Sequence, residues 1–207
     1  LFEENKMKIL GIYAKAERDR LVSIYKRTAD TRIFNLFKKK YDMLLYCPTG
    51  YYINKDTTDF VWMSSETTKN SKGIIFFTEK YEHESQFNYA IIFDRVNEEL
   101  EKFIPGPRNG SYMALDTEIP YTFVQYKYNG HYAVSVRGLW TVVNDFMAGP
   151  FVLNVVLDEE HQRVIYMMGY VYYPNEEKRD MLKQVEAILN TMVIDFKEKE
   201  QQQETKK

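Results

Sequence analysis

The clearest alternation of apolar and polar residues lies in residues 121–143, and it predicts a β-hairpin. Two apolar runs are joined by Asn129-Gly130, a pair that readily adopts positive φ at both positions of a two-residue turn. In the second run every other residue from Tyr132 onward falls on one face, and Arg137 falls on the opposite face. One face of this strand is therefore expected to be buried and the other to be mixed.

The rest of the chain divides into helical and extended segments by the same criterion. Helical spacing of apolar residues predicts helices within residues 1–40, with a break at 28–30, and at 86–104 and 175–193. Short apolar runs typical of strands occupy residues 41–47, 59–64, 73–78, 112–115, 151–157 and 164–173. Residues 164–173 are apolar on both faces, which predicts a central strand covered on both sides.

This order of elements predicts an α+β fold. Hairpin-linked strands set between helices indicate a mainly antiparallel sheet flanked by helices, an α/β/α sandwich. At the level of topology the order resembles the PsbP/Mog1 type. We expect residues 1–40 to form a helical N-terminal extension and residues 41–196 to form the α+β domain. Residues 197–207 contain no apolar side chain, which predicts a disordered tail.

Composition and charge exclude several classes of protein. With 207 residues and 44% apolar content, the chain can bury a substantial core. A net charge of −2 argues against nucleic-acid binding, which requires a basic surface. A membrane helix needs about 20 apolar residues, and no such run occurs. The single Cys47 rules out an internal disulfide and is expected to be buried. Because the chain starts at Leu1 without an initiator Met, we expect it to be a piece of a longer protein.

The first candidate for ligand binding is the loop that follows Pro105-Gly106-Pro107. Arg108 and Asn109 lie in this loop with backbone N–H groups nearby, a combination suited to a phosphate or carboxylate. The alternative is a rigid connector whose arginine is solvated or pairs with a local acid.

The second candidate is the strand after the predicted turn. Arg137 lies in the middle of an otherwise apolar strand, so it requires a carboxylate partner or a ligand. Tyr132 and Trp140 lie on the same strand and are further candidates for ligand binding.

The third candidate is the loop at residues 144–150. Phe146 and Met147 are large apolar residues among turn formers, and such loops often act as lids or docking surfaces. The alternative is that both side chains pack under the loop as part of the core.

No catalytic motif is present in the sequence. The patterns GxSxG, HExxH and CxxC do not occur, and neither does a phosphate-cradling glycine loop. His83 lies among three glutamates without the spacing of a known metal site. We therefore predict no catalytic residue, metal ligand or cofactor.

Several blocks in order resemble domain of unknown function family 4837. They are residues 48–51, 59–62, 105–113, 129–134, 137–140, 145–151 and 178–179. The resemblance extends over roughly residues 1–194, and it implies neither an activity nor site residues. Because members are putative lipoproteins of Gram-negative gut-type bacteria, it does imply a cell-envelope location, with a lipid anchor that is absent from this chain.

We expect a non-enzymatic binding or assembly module of the envelope, with a protein, peptide or glycan as its partner. One alternative is an enzyme acting on envelope carbohydrate or lipid, in which Arg108 and Arg137 grip an anionic group. The other is a purely structural domain, which would show a closed surface without a cleft.

Overall fold

A computed structural model describes residues 2–194, so the predicted tail at 197–207 lies outside the described residues. The helices are α1 (Phe2–Arg27), α2 (Thr31–Tyr41), a short 3₁₀ helix (Glu84–Phe87), α3 (Tyr89–Phe103) and α4 (Arg179–Leu189). The strands are β1 (Tyr52–Asp56), β2 (Phe60–Glu66), β3 (Ser71–Lys80), β4 (Tyr112–Leu115), β5 (Thr122–Tyr128), β6 (His131–Val143), β7 (Ala148–Asp158) and β8 (Arg163–Tyr172).

The eight strands form one sheet in which each paired neighbour is antiparallel. Their order is β1-β2-β3-β8-β7-β6-β4, and β5 also pairs with β6. Strand β6 has 13 residues, so its first half pairs with β5 and its second half with β4. The predicted α+β class with an antiparallel sheet is confirmed.

The predicted hairpin is the β5–β6 pair. Tyr128 lies opposite His131, and the turn residues Asn129 and Gly130 have φ of 50° and 101°. Two consecutive positive φ values twist the turn in the sense that the flanking strands require.

Each face of the sheet carries its own apolar core. On one face, called here the three-helix face, α1, α2 and α4 pack against the sheet. On the other, called the α3 face, α3 and the 3₁₀ helix do so. The interior residues of β8 are buried on both faces, as expected of a central strand. The molecule is therefore the predicted α/β/α sandwich.

The break between the first two helices falls where the sequence places it. Asp30 caps α2, because its carboxylate accepts a hydrogen bond of 2.9 Å from the backbone N–H of Arg32. Ile33 and Phe37 of α2 are buried in the core of the three-helix face. The division between an extension at 1–40 and a domain at 41–196 stays a prediction.

The predicted strand at residues 41–47 is wrong. Tyr41 still belongs to α2, and within the segment only Leu44 makes an isolated bridge, to Val193. The remainder is a connector in which Met43, Leu45 and Cys47 are fully buried. The first strand of the sheet is instead β1, all of whose residues are exposed. An exposed edge strand has no apolar alternation, so the sequence gives no sign of it.

Two helix boundaries also differ from the prediction. The segment predicted at 86–104 is divided into the 3₁₀ helix, capped by His83, and α3, capped by Asn88. The last helix spans residues 179–189 rather than 175–193. Asn175 has a φ of 61°, a left-handed conformation that cannot belong to a right-handed helix. Among the described residues, no helix combines the length and apolar content needed to cross a membrane.

Candidate functional site

The structure distributes the predicted site residues over three places. Arg108, Asn109, Trp140, Phe146 and Met147 gather around the end of the sheet where β6 turns into β7. Tyr132 lies at the opposite end of β6, and the side chain of Arg137 lies on the three-helix face.

The first place contains a cleft of about 270 Å³ on the α3 face, called here the aromatic cleft. It is lined mainly by aromatic, methionine and proline side chains. The lining residues are Trp62, Glu66, Ser71, Ile104, Pro105, Gly106, Pro107, Met113, Trp140, Val142, Met147, Tyr170 and Tyr172. Both tryptophans of the chain belong to it.

Tyr170 and Trp62 form one wall of the aromatic cleft through a side-chain hydrogen bond across β3. The indole N–H of Trp62 donates to the hydroxyl of Tyr170 over 2.9 Å. The Tyr170 ring reaches Trp62 by lying over Gly73, where an added Cβ would stand 2.3 Å from the ring. Glycine at position 73 is therefore required for this wall.

Trp140 continues this wall, because its ring lies edge-on to that of Tyr170 with the centroids 5.7 Å apart, and the backbone fixes its indole group. Its indole N–H donates to the carbonyl of Val171 over 3.2 Å, and its side chain is buried. The approach depends on Gly149, because a Cβ there would lie 2.0 Å from that same carbonyl oxygen. Hydrogen bonds thus hold the aromatic side chains in place, and Gly73 and Gly149 leave the space that these side chains need.

The loop above the cleft is cross-linked by hydrogen bonds of Ser111. The Ser111 hydroxyl donates to the carbonyl of Arg108 over 2.7 Å and accepts from the N–H of Arg108 over 2.9 Å. The N–H of Gly106 donates to the carbonyl of Ser111, and a Cβ at Gly106 would clash with the Ser111 side chain at 2.3 Å. Asn109 is exposed on this turn.

The rim of the aromatic cleft joins two of the predicted loops. The Nε of Arg108 lies 2.9 Å from the carboxylate of Asp145, and its guanidinium lies 5.8 Å from the centre of the Phe146 ring. Phe146 is 92% exposed, whereas Met147 is half-buried and lines the cleft. Arg108 therefore has a local acid as its partner, and the predicted apolar loop turns one side chain outward and one inward.

Tyr132 belongs to a different depression. Its ring packs edge-on against Phe87 with the centroids 5.0 Å apart, beside an open hollow of about 550 Å³. His83 also lines this hollow, where its Nδ1 accepts a hydrogen bond from the Ser85 N–H and caps the 3₁₀ helix.

Arg137 pairs with Glu186 of α4 on the three-helix face. Its Nη2 contacts Oε1 of Glu186, and its Nη1 lies 3.2 Å from Oε2, so the ion pair is bidentate. This is the carboxylate partner that a charge in an apolar strand requires. Because Arg137 and Arg108 have separate partners in separate places, they do not face one ligand.

The aromatic cleft contains few polar side chains. Burial raises the pKa of the Tyr170 hydroxyl, so it remains a neutral hydrogen-bonding group. The lining contains one carboxylate, Glu66, and one aliphatic hydroxyl, Ser71. In the described part of the chain, no group of three metal-binding side chains is arranged to hold an ion.

Sequence reasoning identified Trp140 and Met147 but missed Trp62, Tyr170 and Tyr172. The period-two pattern places each of these aromatics on a definite face of its own strand. Which strands are neighbours, and in which register, is set by distant pairings such as Ile75 opposite Met168. The local pattern carries no information about those pairings, so the two halves of the site could not be brought together.

Comparison with known proteins gives a coarse likeness to solved structures. The Ran-binding protein Mog1p of Saccharomyces cerevisiae matches with a TM-score of 0.44 and 8% identity, over 73% of this chain and 89% of that one. A point-substituted Mog1 matches with a TM-score of 0.42 and 8% identity, over 73% and 90%. No curated protein matches the sequence. The model of the family described as Domain of unknown function (DUF4837) matches residues 30–191, and the chain belongs to that family.

Proposed function

We propose that this domain is a non-enzymatic binding module that accepts a bulky apolar side chain of a partner protein or peptide in the aromatic cleft. The observation that carries the proposal is the convergence of both tryptophans on one preformed cleft. The fully exposed ring of Phe146 at its rim supports it, since exposed large apolar groups beside a cleft are typical of interaction sites.

The rigidity of the walls supports binding over a purely packing role. Gly73 leaves room for the Tyr170 ring, and Gly149 leaves room for Trp140 and its hydrogen bond to the Val171 carbonyl. The walls are therefore already in place before a ligand enters. A preorganised site loses less conformational entropy on binding than a flexible one. A purely structural domain predicts a closed surface instead.

The composition of the lining favours a peptide over a glycan. A glycan presents many hydroxyls that need polar partners, and the lining offers chiefly Glu66 and Ser71. A volume of about 270 Å³ suits a single large side chain inserted as an anchor. The enzyme alternative is not advanced, because the two arginines that it requires are apart.

Selection from a phage-displayed library of random peptides tests the proposal. We expect selected peptides to share one bulky apolar residue and to lose binding to the variants Phe146→Ser and Met147→Glu. The matched control is Tyr13→Ser, which removes a 71% exposed aromatic side chain from α1. Peptides that bind all three variants equally, or selection of glycans but no peptides on a parallel array, would overturn it.

We further propose that the module works in the cell envelope as part of a lipid-anchored protein. Support comes from the resemblance to putative lipoproteins. The full-length protein is expected to incorporate a radiolabelled fatty acid and to fractionate with membranes. Fractionation with the soluble cell contents, without label, would contradict this location.

A further inference from the structure

A second cavity, of about 370 Å³, lies on the three-helix face between α1 and α4, away from the aromatic cleft. We call it the charged cavity. Its walls combine three aliphatic side chains with six charged ones. They are Ala14, Leu21 and Leu182, together with Glu17, Arg18, Arg137, Arg179, Lys183 and Glu186.

The charges in this cavity do not balance. Lys183 pairs with Glu17 over 2.6 Å, and Arg137 pairs with Glu186. Both acids of the lining are thereby engaged, and among the described residues neither Arg18 nor Arg179 makes an ion pair within 4 Å, although the charge of Arg179 also helps to lower the pKa of Glu17. The lining has four cationic side chains against two carboxylates, which creates a local excess of positive charge on a chain whose net charge is −2.

A neighbouring hollow of about 260 Å³ shares part of this wall. Arg18, Arg137 and Glu186 line both spaces, so Arg18 and Arg137 lie at the junction, whereas Arg179 lines the charged cavity alone. The neighbouring hollow adds the hydroxyl of Ser135 and the amide of the buried Asn154. A ligand in the charged cavity therefore meets cations at the junction and aliphatic side chains on the α1–α4 side.

We infer that the charged cavity binds a small amphiphilic oxyanion, with its phosphate or carboxylate group between Arg18 and Arg179. Guanidinium groups donate paired hydrogen bonds that match such oxyanions. Leu21 and Leu182 would contact a short aliphatic portion of the ligand. The same chemistry is offered by a soluble alkyl phosphate and by the headgroup region of an anionic phospholipid.

Calorimetric titration of the whole chain with butyl phosphate, and separately with inorganic phosphate, tests the inference. We expect butyl phosphate to bind more tightly than inorganic phosphate, and the double variant Arg18→Gln/Arg179→Gln to weaken butyl phosphate binding at least about tenfold. The control Lys15→Gln/Arg27→Gln changes the net charge equally on exposed positions of α1 and should retain binding.

A flotation assay with vesicles of phosphatidylglycerol and phosphatidylcholine separates the two sources. If the chain binds these vesicles more tightly than butyl phosphate, and the double variant loses this binding, the ligand is a lipid headgroup. If the chain binds butyl phosphate more tightly than the vesicles, the ligand is a soluble anion. If the double variant does not fold, the single variants Arg18→Gln and Arg179→Gln carry the test. No binding of any probe, or an equal loss in the control, overturns the inference.

Discussion

The aromatic cleft and the charged cavity lie on opposite faces of one sheet, and different forces hold them open. The cleft is shaped by close packing, with Tyr170 over Gly73 and Trp140 against the backbone beside Gly149. The charged cavity is shaped by long side chains in exposed or half-exposed ion pairs, such as Arg137 with Glu186. Packing contacts act at short range and tolerate little change, whereas solvated ion pairs are weak and screened by salt.

The two sites should therefore respond to different perturbations. A single added methyl group should disrupt the aromatic cleft, because protein interiors are close-packed. The charged cavity should instead respond to salt, pH and charge removal, with little loss of stability. The following predictions test this contrast.

The largest effect is expected from Gly149→Ala. The new Cβ would lie 2.0 Å from the carbonyl oxygen of Val171, a backbone atom that cannot move freely. We expect a loss of about 3 kcal/mol in the free energy of unfolding, measured by urea denaturation. The matched control is Gly11→Ala in α1, where a Cβ meets nothing within 4 Å and should raise helix stability. Equal stability of the two variants would contradict the packing account of the cleft.

A smaller effect is expected from Trp140→Phe. This change removes the indole donor to the Val171 carbonyl and part of a buried ring. The expected loss in the free energy of unfolding is about 2 kcal/mol by urea denaturation. The control Tyr132→Phe, at a partly exposed ring, should change it little. A stability unchanged in Trp140→Phe would mean that the indole hydrogen bond does not hold the wall.

The ion pair of the charged cavity should contribute less. Arg137 is 43% exposed, so solvent screens its attraction to Glu186. We expect Arg137→Gln to lower the free energy of unfolding by less than about 1 kcal/mol, measured by urea denaturation, and by a smaller amount in high salt. If Arg137→Gln instead lowered the free energy of unfolding by several kcal/mol independently of salt, the ion pair would not be a weak, screened interaction, and the contrast between the two regions would be wrong.

The smallest effect is a pH dependence at Glu17. The hydrogen bond from Lys183 lowers the pKa of Glu17 below its ordinary value of 4.5. A lowered pKa in the folded state gives stability that is complete above the ordinary pKa and lost as pH falls through the folded one. The melting temperature of the wild type should exceed that of Glu17→Gln at neutral pH, and the gap should close on acidification. A gap that widens in acid would refute the pairing.

Much of the fold follows from local sequence, as two elements illustrate. Asn129-Gly130 specifies the β5–β6 turn because it accepts two positive φ values, and that turn is present. The apolar residues on both faces of residues 164–173 place β8 at the centre of the sheet. In both cases the physical cause acts within a few residues, so the sequence displays it.

The errors occurred where the cause is distant. Strand β1 is exposed at every residue, and it is a strand only because β2 supplies hydrogen-bonding partners. The aromatic cleft needs Trp62, Trp140 and Tyr170 from three strands, and their meeting depends on the register of the whole sheet. Trp140 and Met147 of the cleft were among the predicted candidates, whereas Trp62 and Tyr170 could not be predicted.

The most direct test of the central claim, that the aromatic cleft binds ligand, is a nuclear magnetic resonance titration with the best selected peptide. The chain has two tryptophans, both in the cleft and both with bonded indole N–H groups, so two indole signals report on it. The account predicts that both signals shift on binding and that Met147→Glu abolishes the shifts. Indole signals that stay fixed while backbone signals elsewhere move would contradict it.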